Sequence, residues 1–187
     1  MPGKAAKHLK FFQNRAVAAV IALSVVVCST LFAGRANLIK ACTAQEEAFF
    51  SVPNGKAPVY YVDQLISAAA SLANVAEKYD CGDDAAAIRE ARRELVSAED
   101  SKDISDIYSA YRKLLSAVGG FDTPSAADSM DKTLYEDNLS VISGASRELE
   151  QSSYNVNVTV FLETVYGRFP SSLFAGLFSI PAPELFA

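Results

Sequence analysis

The feature that most constrains this chain is a run of nineteen uncharged residues near its N-terminus, at positions 16–34. At about 1.5 Å of rise per residue, a helix of this length spans about 28 Å, close to the roughly 30 Å of a hydrocarbon core. The run has no polar face, which a core helix of a soluble protein usually has. The sequence therefore predicts a transmembrane helix over 16–34. It follows a basic N-terminal leader over 1–15, whose cations are Lys4, Lys7, Lys10 and Arg15.

A cleaved leader is the alternative to a membrane anchor. The apolar region of a signal peptide is usually about 7–15 residues long and ends in small residues. Here the best cleavage site, residues 34–36, contains Arg35, so an uncleaved anchor is favoured. Four cations precede the run and two, Arg35 and Lys40, closely follow it. Because cations are retained on the cytoplasmic side, this bias predicts a single pass with the C-terminal domain outside.

Charge and histidine content exclude several classes of function. From residue 35 onward, 13 Lys and Arg stand against 22 Asp and Glu, a net charge of −9. Nucleic acid is therefore not an expected partner, because phosphate binding needs clustered cations. The single histidine, His8, lies in the leader, so the domain lacks the imidazole of catalytic triads, zinc sites and histidine-containing di-iron sites. We predict no catalytic residue, no metal and no cofactor.

Acidic residues and cysteines in the domain allow only weak interpretations. Asp100, Asp103 and Asp106 recur every three residues but lack the glycine and ligand order of a calcium loop, so we expect them to face solvent. Cys42 and Cys81 both lie in the domain and would be able to pair in an oxidising compartment. Separate burial as small apolar side chains is the favoured interpretation, and their spacing does not decide between the two.

The remainder of the chain predicts an all-α fold, an antiparallel bundle of long helices over 35–170. Segment 35–50 is expected to continue the membrane helix until the turn-prone sequence SVPNGKAP. Three stretches, 59–79, 83–97 and 104–118, then repeat apolar residues at intervals of three and four. The last two of these are candidates for a single long helix, because the EDSKD between them contains neither glycine nor proline.

A final long helix is expected to begin with Thr123 as its N-cap and Pro124 as its first residue, and to stop at Pro170. Its predicted buried side consists of Leu134, Val141, Ala145, Leu149, Val156, Val158, Phe161 and Val165.

The C-terminal tail, residues 171–187, contains so many apolar side chains that we expect it to be buried against another surface. Packing on the bundle, contact with the membrane interface and burial against another subunit are the three alternatives. Interfacial helices normally carry basic residues opposite their apolar face, and no cation follows Arg168. Packing on the bundle is therefore the first expectation and self-association the second. The large apolar residues of the tail are Leu173, Phe174, Leu177, Phe178, Ile180, Leu185 and Phe186.

The order of these features resembles the LemA family, most closely over residues 152–178, SSYNVNVTVFLETVYGRFPSSLFAGLF. Tyr154 and Asn155 match the first tyrosine-asparagine pair of that family. Val158 matches its following aliphatic position, and the adjacent residues at 169 and 170 match its phenylalanine-proline element. Neighbouring positions on a helix point in different directions. We therefore expect one member of the Tyr154-Asn155 pair to pack and the other to bond a polar neighbour, both in structural roles. The two residues of the last element are Phe169 and Pro170.

A shorter likeness lies in the middle of the chain, where Ala91-Arg92 is similar to the alanine-arginine element of the family. Arg92 and its neighbour Arg93 are expected to form a solvated face. The chain departs from the family at 161–162, where a second tyrosine-asparagine pair is often found, and at 52–58, which replaces an arginine-rich segment. The resemblance implies an antiparallel helical bundle joined to a bacterial cytoplasmic membrane, and it implies no catalytic residue.

Together these patterns predict a non-enzymatic, membrane-anchored, LemA-like interaction or scaffold protein. Its expected partners are the lipid bilayer, through residues 16–34, and either a second copy of the chain or another envelope protein. The alternative is a cleaved, secreted or periplasmic helical protein that binds a small apolar ligand between aromatic helices.

Overall fold

The computed structural model describes residues 15–53, 55–123 and 125–187. These residues form seven helices and no strand, so the predicted all-α fold is confirmed. Apart from Arg15, the predicted leader lies outside the described residues. The helices are α1 (Arg15–Phe50), α2 (Pro58–Lys78), α3 (Gly82–Ser101), α4 (Ile104–Gly119), α5 (Ser129–Glu150), α6 (Ser153–Val165) and α7 (Ser171–Leu177).

Helix α1 is a single helix of 36 residues, about 54 Å long, so segment 35–50 does continue the apolar run. It is the one helix in the described part of the chain that is long and apolar enough to cross a membrane. Its hydroxyl groups bond back to the helix, as Thr30 Oγ1 does to the Val26 carbonyl at 2.8 Å, and so leave no unpaired hydroxyl donor on the surface of the apolar run. The exposed large apolar side chains of the run are those of Val20, Ile21, Leu23, Val25, Val26, Val27 and Phe32.

Helices α2 to α5 form an antiparallel four-helix bundle. Helix α2 packs against α3 and α5, and α3 packs against α4. The short connections between α2, α3 and α4 force neighbouring helices to run in opposite directions. The predicted apolar stripes of α2, α3 and α4 face one shared core. Its fully buried residues include Leu65, Leu72, Ile88, Leu95, Ile107 and Leu114.

The suggestion that α3 and α4 are one helix is wrong. Helix α3 ends at Ser101, and the next residue, Lys102, is its C-cap with a φ of 56° in the left-handed region. Asp103 then caps α4, because its carboxylate accepts a hydrogen bond from the Asp106 backbone N–H at 2.8 Å. A side-chain cap therefore starts a new helix without glycine or proline. Helices α3 and α4 can fold against each other because of this break.

The predicted start of the last helix is also wrong. Helix α5 begins at Ser129 and is capped by Asp128, whose carboxylate accepts from the Asp131 N–H at 2.9 Å. Thr123 lies in the preceding loop, and Pro124 lies outside the described residues. The cause is the burial of Phe121, whose carbonyl accepts a hydrogen bond from Tyr135 Oη at 2.8 Å, since this contact keeps the loop on the core before α5 begins.

The predicted buried side of this region is correct only in part. Ala145, Leu149 and Val158 are buried, and Phe161 and Val165 are half-buried. Three predicted core residues are instead exposed, namely Leu134, Val141 and Val156. Neighbouring positions are buried in their place on α5, namely Tyr135 and Ile142. The segment is also interrupted between Glu150 and Ser153, where α5 ends and α6 begins.

Helix α6 runs back along α1 toward the apolar run. At its start the rings of Phe49 and Tyr154 lie 5.2 Å apart, and just beyond its end Cys42 Sγ lies 3.4 Å from Tyr166 Oη. Cys42 does not pair with Cys81, which follows α2 and has its Sγ 3.6 Å from the Tyr79 carbonyl oxygen. A small second core lies on this side of the molecule, formed by Leu38, Cys42, Ala175 and Ile180.

Candidate functional site

The candidate site is formed where the C-terminal residues of the chain pack against the bundle. The Phe186 side chain is only 4% exposed and lies among aromatic rings. Ring centroids lie 5.1 Å away for Tyr108 and 5.5 Å away for both Phe49 and Tyr111. Aromatic pairs at these separations add to the stabilisation from burial. We call this the tail-docking site, formed by Phe49, Tyr108, Tyr111, Tyr154 and Asn155 around residues 184–186.

Asn155 holds the tail through both of its polar groups. Its Nδ2 donates to the Phe186 carbonyl at 2.7 Å, and its Oδ1 accepts from the Phe186 N–H at 2.8 Å. An asparagine amide carries both a donor and an acceptor, so it can satisfy both main-chain groups of one residue. Asn155 therefore makes the polar contact expected of one member of the Tyr154-Asn155 pair, and its partner is the chain's own C-terminal segment.

Tyr154 both packs and bonds. Its ring is buried against Phe49, and its hydroxyl donates to the Glu184 carbonyl at 2.7 Å. The prediction that one member of the Tyr154-Asn155 pair packs while the other bonds is therefore incomplete. Although the two side chains diverge, both reach the same short segment, because that segment crosses the first turn of α6.

Glu184 ties the tail to a helix terminus. Its Oε2 accepts a hydrogen bond from the Ser105 backbone N–H at 3.1 Å, in the first turn of α4. Such N–H groups have no partner within their own helix and favour a negative charge. Glu46 of α1 also faces this region. Burial raises the pKa of Glu46, and the nearby Glu184 carboxylate adds to the rise, while a hydrogen bond with the Glu184 backbone opposes it.

Tyr111 and Tyr154 of this site are neutral donors at physiological pH. Burial raises the pKa of Tyr111 to about 12, and its hydroxyl lies 2.9 Å from Glu150 Oε1. Burial also raises the pKa of Tyr154. Within the described ranges, no three His, Cys, Asp or Glu side chains are grouped so as to hold a metal ion. This arrangement is suited to holding a peptide segment in place.

Two of the predicted motif residues, Ala91 and Arg92, lie away from this site, at the contact between α3 and α2. Ala91 is buried there. Arg92 Nε donates to the Ile66 carbonyl of α2 at 3.0 Å, so Arg92 is not simply part of a solvated face. Arg93 does lie on the surface, where it pairs with Glu90 at 3.1 Å. The alanine-arginine pair thus joins two helices.

The remaining motif residues are also separate from the tail-docking site. Val158 is fully buried in the main core, one turn beyond Tyr154. Phe169 and Pro170 form a cis peptide bond in the turn between α6 and α7, and the Phe169 ring is 81% exposed. This turn also needs Gly167, where an added Cβ would lie 2.6 Å from the Glu163 carbonyl oxygen.

The expected packing of the apolar tail on the bundle is confirmed for Phe186, but sequence reasoning missed its partner Phe49 and the role of Glu184. The apolar tail was a visible signal for Phe186, and the paired polar groups of Asn155 were a signal for a main-chain partner. The sequence has no local pattern that joins residues 155 and 186, because they are 31 positions apart.

The fold and this site define an all-helical bundle with its own tail docked and one helix capable of crossing a membrane. Comparison with protein-family models, with curated proteins and with solved structures finds no match to this chain.

Proposed function

We propose that this protein is a non-enzymatic membrane anchor and scaffold, which holds a helical bundle close to a bilayer for interaction with itself or with another envelope protein. The observation that carries the proposal is the continuity of α1. Its first half is apolar and uncovered, while its second half enters the bundle without a break. Because the proposed span and the bundle share one continuous helix, they are rigidly joined.

The join between the span and the bundle is supported by packing on both sides. Phe49, near the end of α1, is fully buried and contacts both Tyr154 and Phe186. Helix α6 adds a second column beside α1, and Leu38 is buried farther down on the same side. Because several elements pack against residues 38–49 of α1, the proposed scaffold holds the bundle at a fixed distance from the bilayer.

Two observations support a role without catalysis. The domain has no histidine in its sequence. The polar side chains of the tail-docking site are engaged with main-chain groups of the tail, as Asn155 and Tyr154 are. A nucleophile needs a base within hydrogen-bond reach and an open position for substrate, and these side chains are already occupied.

We also propose that the chain is a divergent LemA-like protein of a bacterial cytoplasmic membrane, with its bundle on the outer side. The support is the motif at 154–155, 158 and 169–170, together with the four cations that precede the apolar run. The hydrogen bonds of Tyr154 and Asn155 to residues 184–186 give this motif a structural role, which is to hold the tail on the bundle.

The scaffold proposal is tested in two steps with the full chain at its natural abundance. First, the intact mass should include residues 1–34, and alkaline extraction should leave the protein in the membrane pellet. A Val26→Lys variant should be extracted more readily, because a cation in mid-membrane costs about 3 kcal/mol. Second, crosslinking followed by purification should recover one defined partner or a discrete oligomer. Recovery of monomer alone would count against a scaffold.

The alternative function is a cleaved, secreted or periplasmic protein that binds a small apolar ligand. One observation favours it, an open groove of about 510 Å³ beside α5 whose lining includes Leu115, Leu139 and Ile142. An intact mass that lacks the residues before about Ala36 would support this alternative, together with binding of an apolar fluorescent probe that Leu139→Asp abolishes. The half-buried Leu139 is a suitable site for this variant because the core does not enclose it completely.

A further inference from the structure

Helix α7 has apolar side chains on two faces, and only one of these faces packs against the rest of the protein. The inner face packs on α1 through Ala175, which is buried with Leu38 and Cys42. On the outer face, Leu173 and Leu177 are 55% and 60% exposed. They lie four residues apart and therefore next to each other along the helix. Such a helix needs cover on its second face.

The position of α7 along α1 indicates what covers that face. The Phe174 ring lies 3.5 Å from where a Cβ on Gly34 would be, and Gly34 is the last residue of the apolar run. Leu38, which packs with Ala175, lies only about 6 Å farther along α1. The polar layer on each side of a bilayer is about 5–7 Å thick. If the run lies in lipid, α7 lies in this layer.

Charge around α7 suits the surface of a membrane. No acidic residue occurs between Glu163 and Glu184, although the domain as a whole is strongly acidic. Arg168 is the only charged residue in that interval and directly precedes the exposed Phe169. On α1, Arg35 and Lys40 are exposed near the same level. These cations, from the preceding turn and from a neighbouring helix, take the place of the basic face that α7 itself lacks.

We propose that Phe169, Leu173 and Leu177 form a second membrane contact, in which α7 lies in the bilayer interface beside the end of the span. This inference rests on the proposed membrane anchor. Interfacial helices bury their apolar face about 5–10 Å into the boundary between headgroups and acyl chains. Attachment at two points limits the tilt of the bundle, which a single span leaves free to vary.

The test uses single tryptophans, because the natural sequence contains none. The full chain is reconstituted in phosphatidylcholine vesicles with or without brominated acyl chains, and acrylamide serves as the aqueous quencher. Leu173→Trp and Leu177→Trp probe α7. Val27→Trp is the control within the run, and Met130→Trp is the control at an exposed position at the start of α5. A far-ultraviolet circular dichroism spectrum unchanged from the parent establishes that each variant is folded.

If α7 lies in the interface, bromine should reduce the emission of the two α7 tryptophans by about half or more, and their emission should shift to the blue. The tryptophan at 130 should respond to acrylamide alone. If bromine does not quench the tryptophan at 27, the anchor fails and the inference fails with it. Quenching at 27 combined with an acrylamide response at 173 and 177 would overturn the interfacial helix alone. Shielding of 173 and 177 from both quenchers would mean that another protein surface covers α7, and this would also overturn it.

Discussion

Asn155 makes two hydrogen bonds to one residue of the tail, so a single substitution tests whether the tail is held there. We predict that Asn155→Ala lowers the free energy of unfolding by about 1–3 kcal/mol, because the N–H and carbonyl of Phe186 lose their partners. Amide hydrogen exchange should also accelerate over 180–187. Both are measured on the full chain in detergent micelles, by urea unfolding and by mass spectrometry.

Asn157 provides the matched control for this substitution. It lies on the same helix, two positions away, and is exposed. Asn157→Ala should leave the exchange of the tail unchanged and alter stability by less than about 0.5 kcal/mol. Equal effects of the two substitutions would show that Asn155 does not specifically fasten the tail.

Glu99 makes stability depend on pH. Burial, followed in size by the nearby Asp63 carboxylate, raises the pKa of Glu99 from 4.5 to about 7. The folded protein therefore binds more protons than the unfolded chain between these values, so stability falls as pH rises through this window. Glu99→Gln removes this loss. We predict that the variant gains about 1 kcal/mol relative to the parent between pH 5 and pH 8, after a discount for solvent screening.

The pH dependence is measured by urea unfolding in detergent at several pH values. Glu136→Gln removes the same charge from an exposed position on α5 and is the matched control for this substitution. A Glu99→Gln curve parallel to that of the parent would contradict the prediction.

At the residue scale, sequence reasoning identified chemical types better than partners. It predicted one packing residue and one polar contact in the Tyr154-Asn155 pair, without saying which residue bonds the tail. It placed Arg92 in solvent, although Arg92 bonds the Ile66 carbonyl. A long side chain reaches across a helix contact only if the neighbouring helix approaches on that side, and no local pattern records this.

At the scale of elements, periodicity predicted helices α2, α3 and α4 because their apolar stripes face a single core. The boundaries depended on single capping residues instead. Asp103 and Asp128 start α4 and α5, and both belong to acidic segments with several other potential caps. The start of α5 also depends on Phe121, which is buried through tertiary contact. These boundaries were therefore beyond the reach of local spacing.

The tail acts as a structural element although its last residues form no helix, and Phe186 is its anchor. We predict that Phe186→Ala lowers the free energy of unfolding by about 3 kcal/mol, because a buried ring among three aromatic side chains leaves a cavity. The matched control is Leu185→Ala, since Leu185 is 36% exposed. Urea unfolding in detergent measures both variants. A smaller loss for Phe186→Ala than for Leu185→Ala would mean that the tail is not anchored by its ring.

At the scale of the whole molecule, one continuous helix joins the apolar run to the bundle. The apolar run, the amphipathic stripes and the all-α class could all be predicted from the sequence. The path of α6 back along α1 was not legible, because it arises from contacts such as that between Cys42 and Tyr166, which lie 124 residues apart. This return path brings α7 to the end of the apolar run and the C-terminal segment to the bundle.

The start of α5 lies beside the end of α2 and provides an exposed site for determining sidedness. Met130 is 81% exposed and adjoins Asp131, which pairs with Lys78 at the end of α2. We predict that Met130→Cys reacts with a membrane-impermeant maleimide in intact cells about as fully as in lysed cells, because the proposed orientation, drawn from the charge bias, has the bundle outside. The parent has Cys28 in the apolar run, a buried Cys42 and a half-buried Cys81, and it is the control for background labelling. Labelling of Met130→Cys only after lysis would place the bundle on the cytoplasmic side and restrict its partners to that compartment.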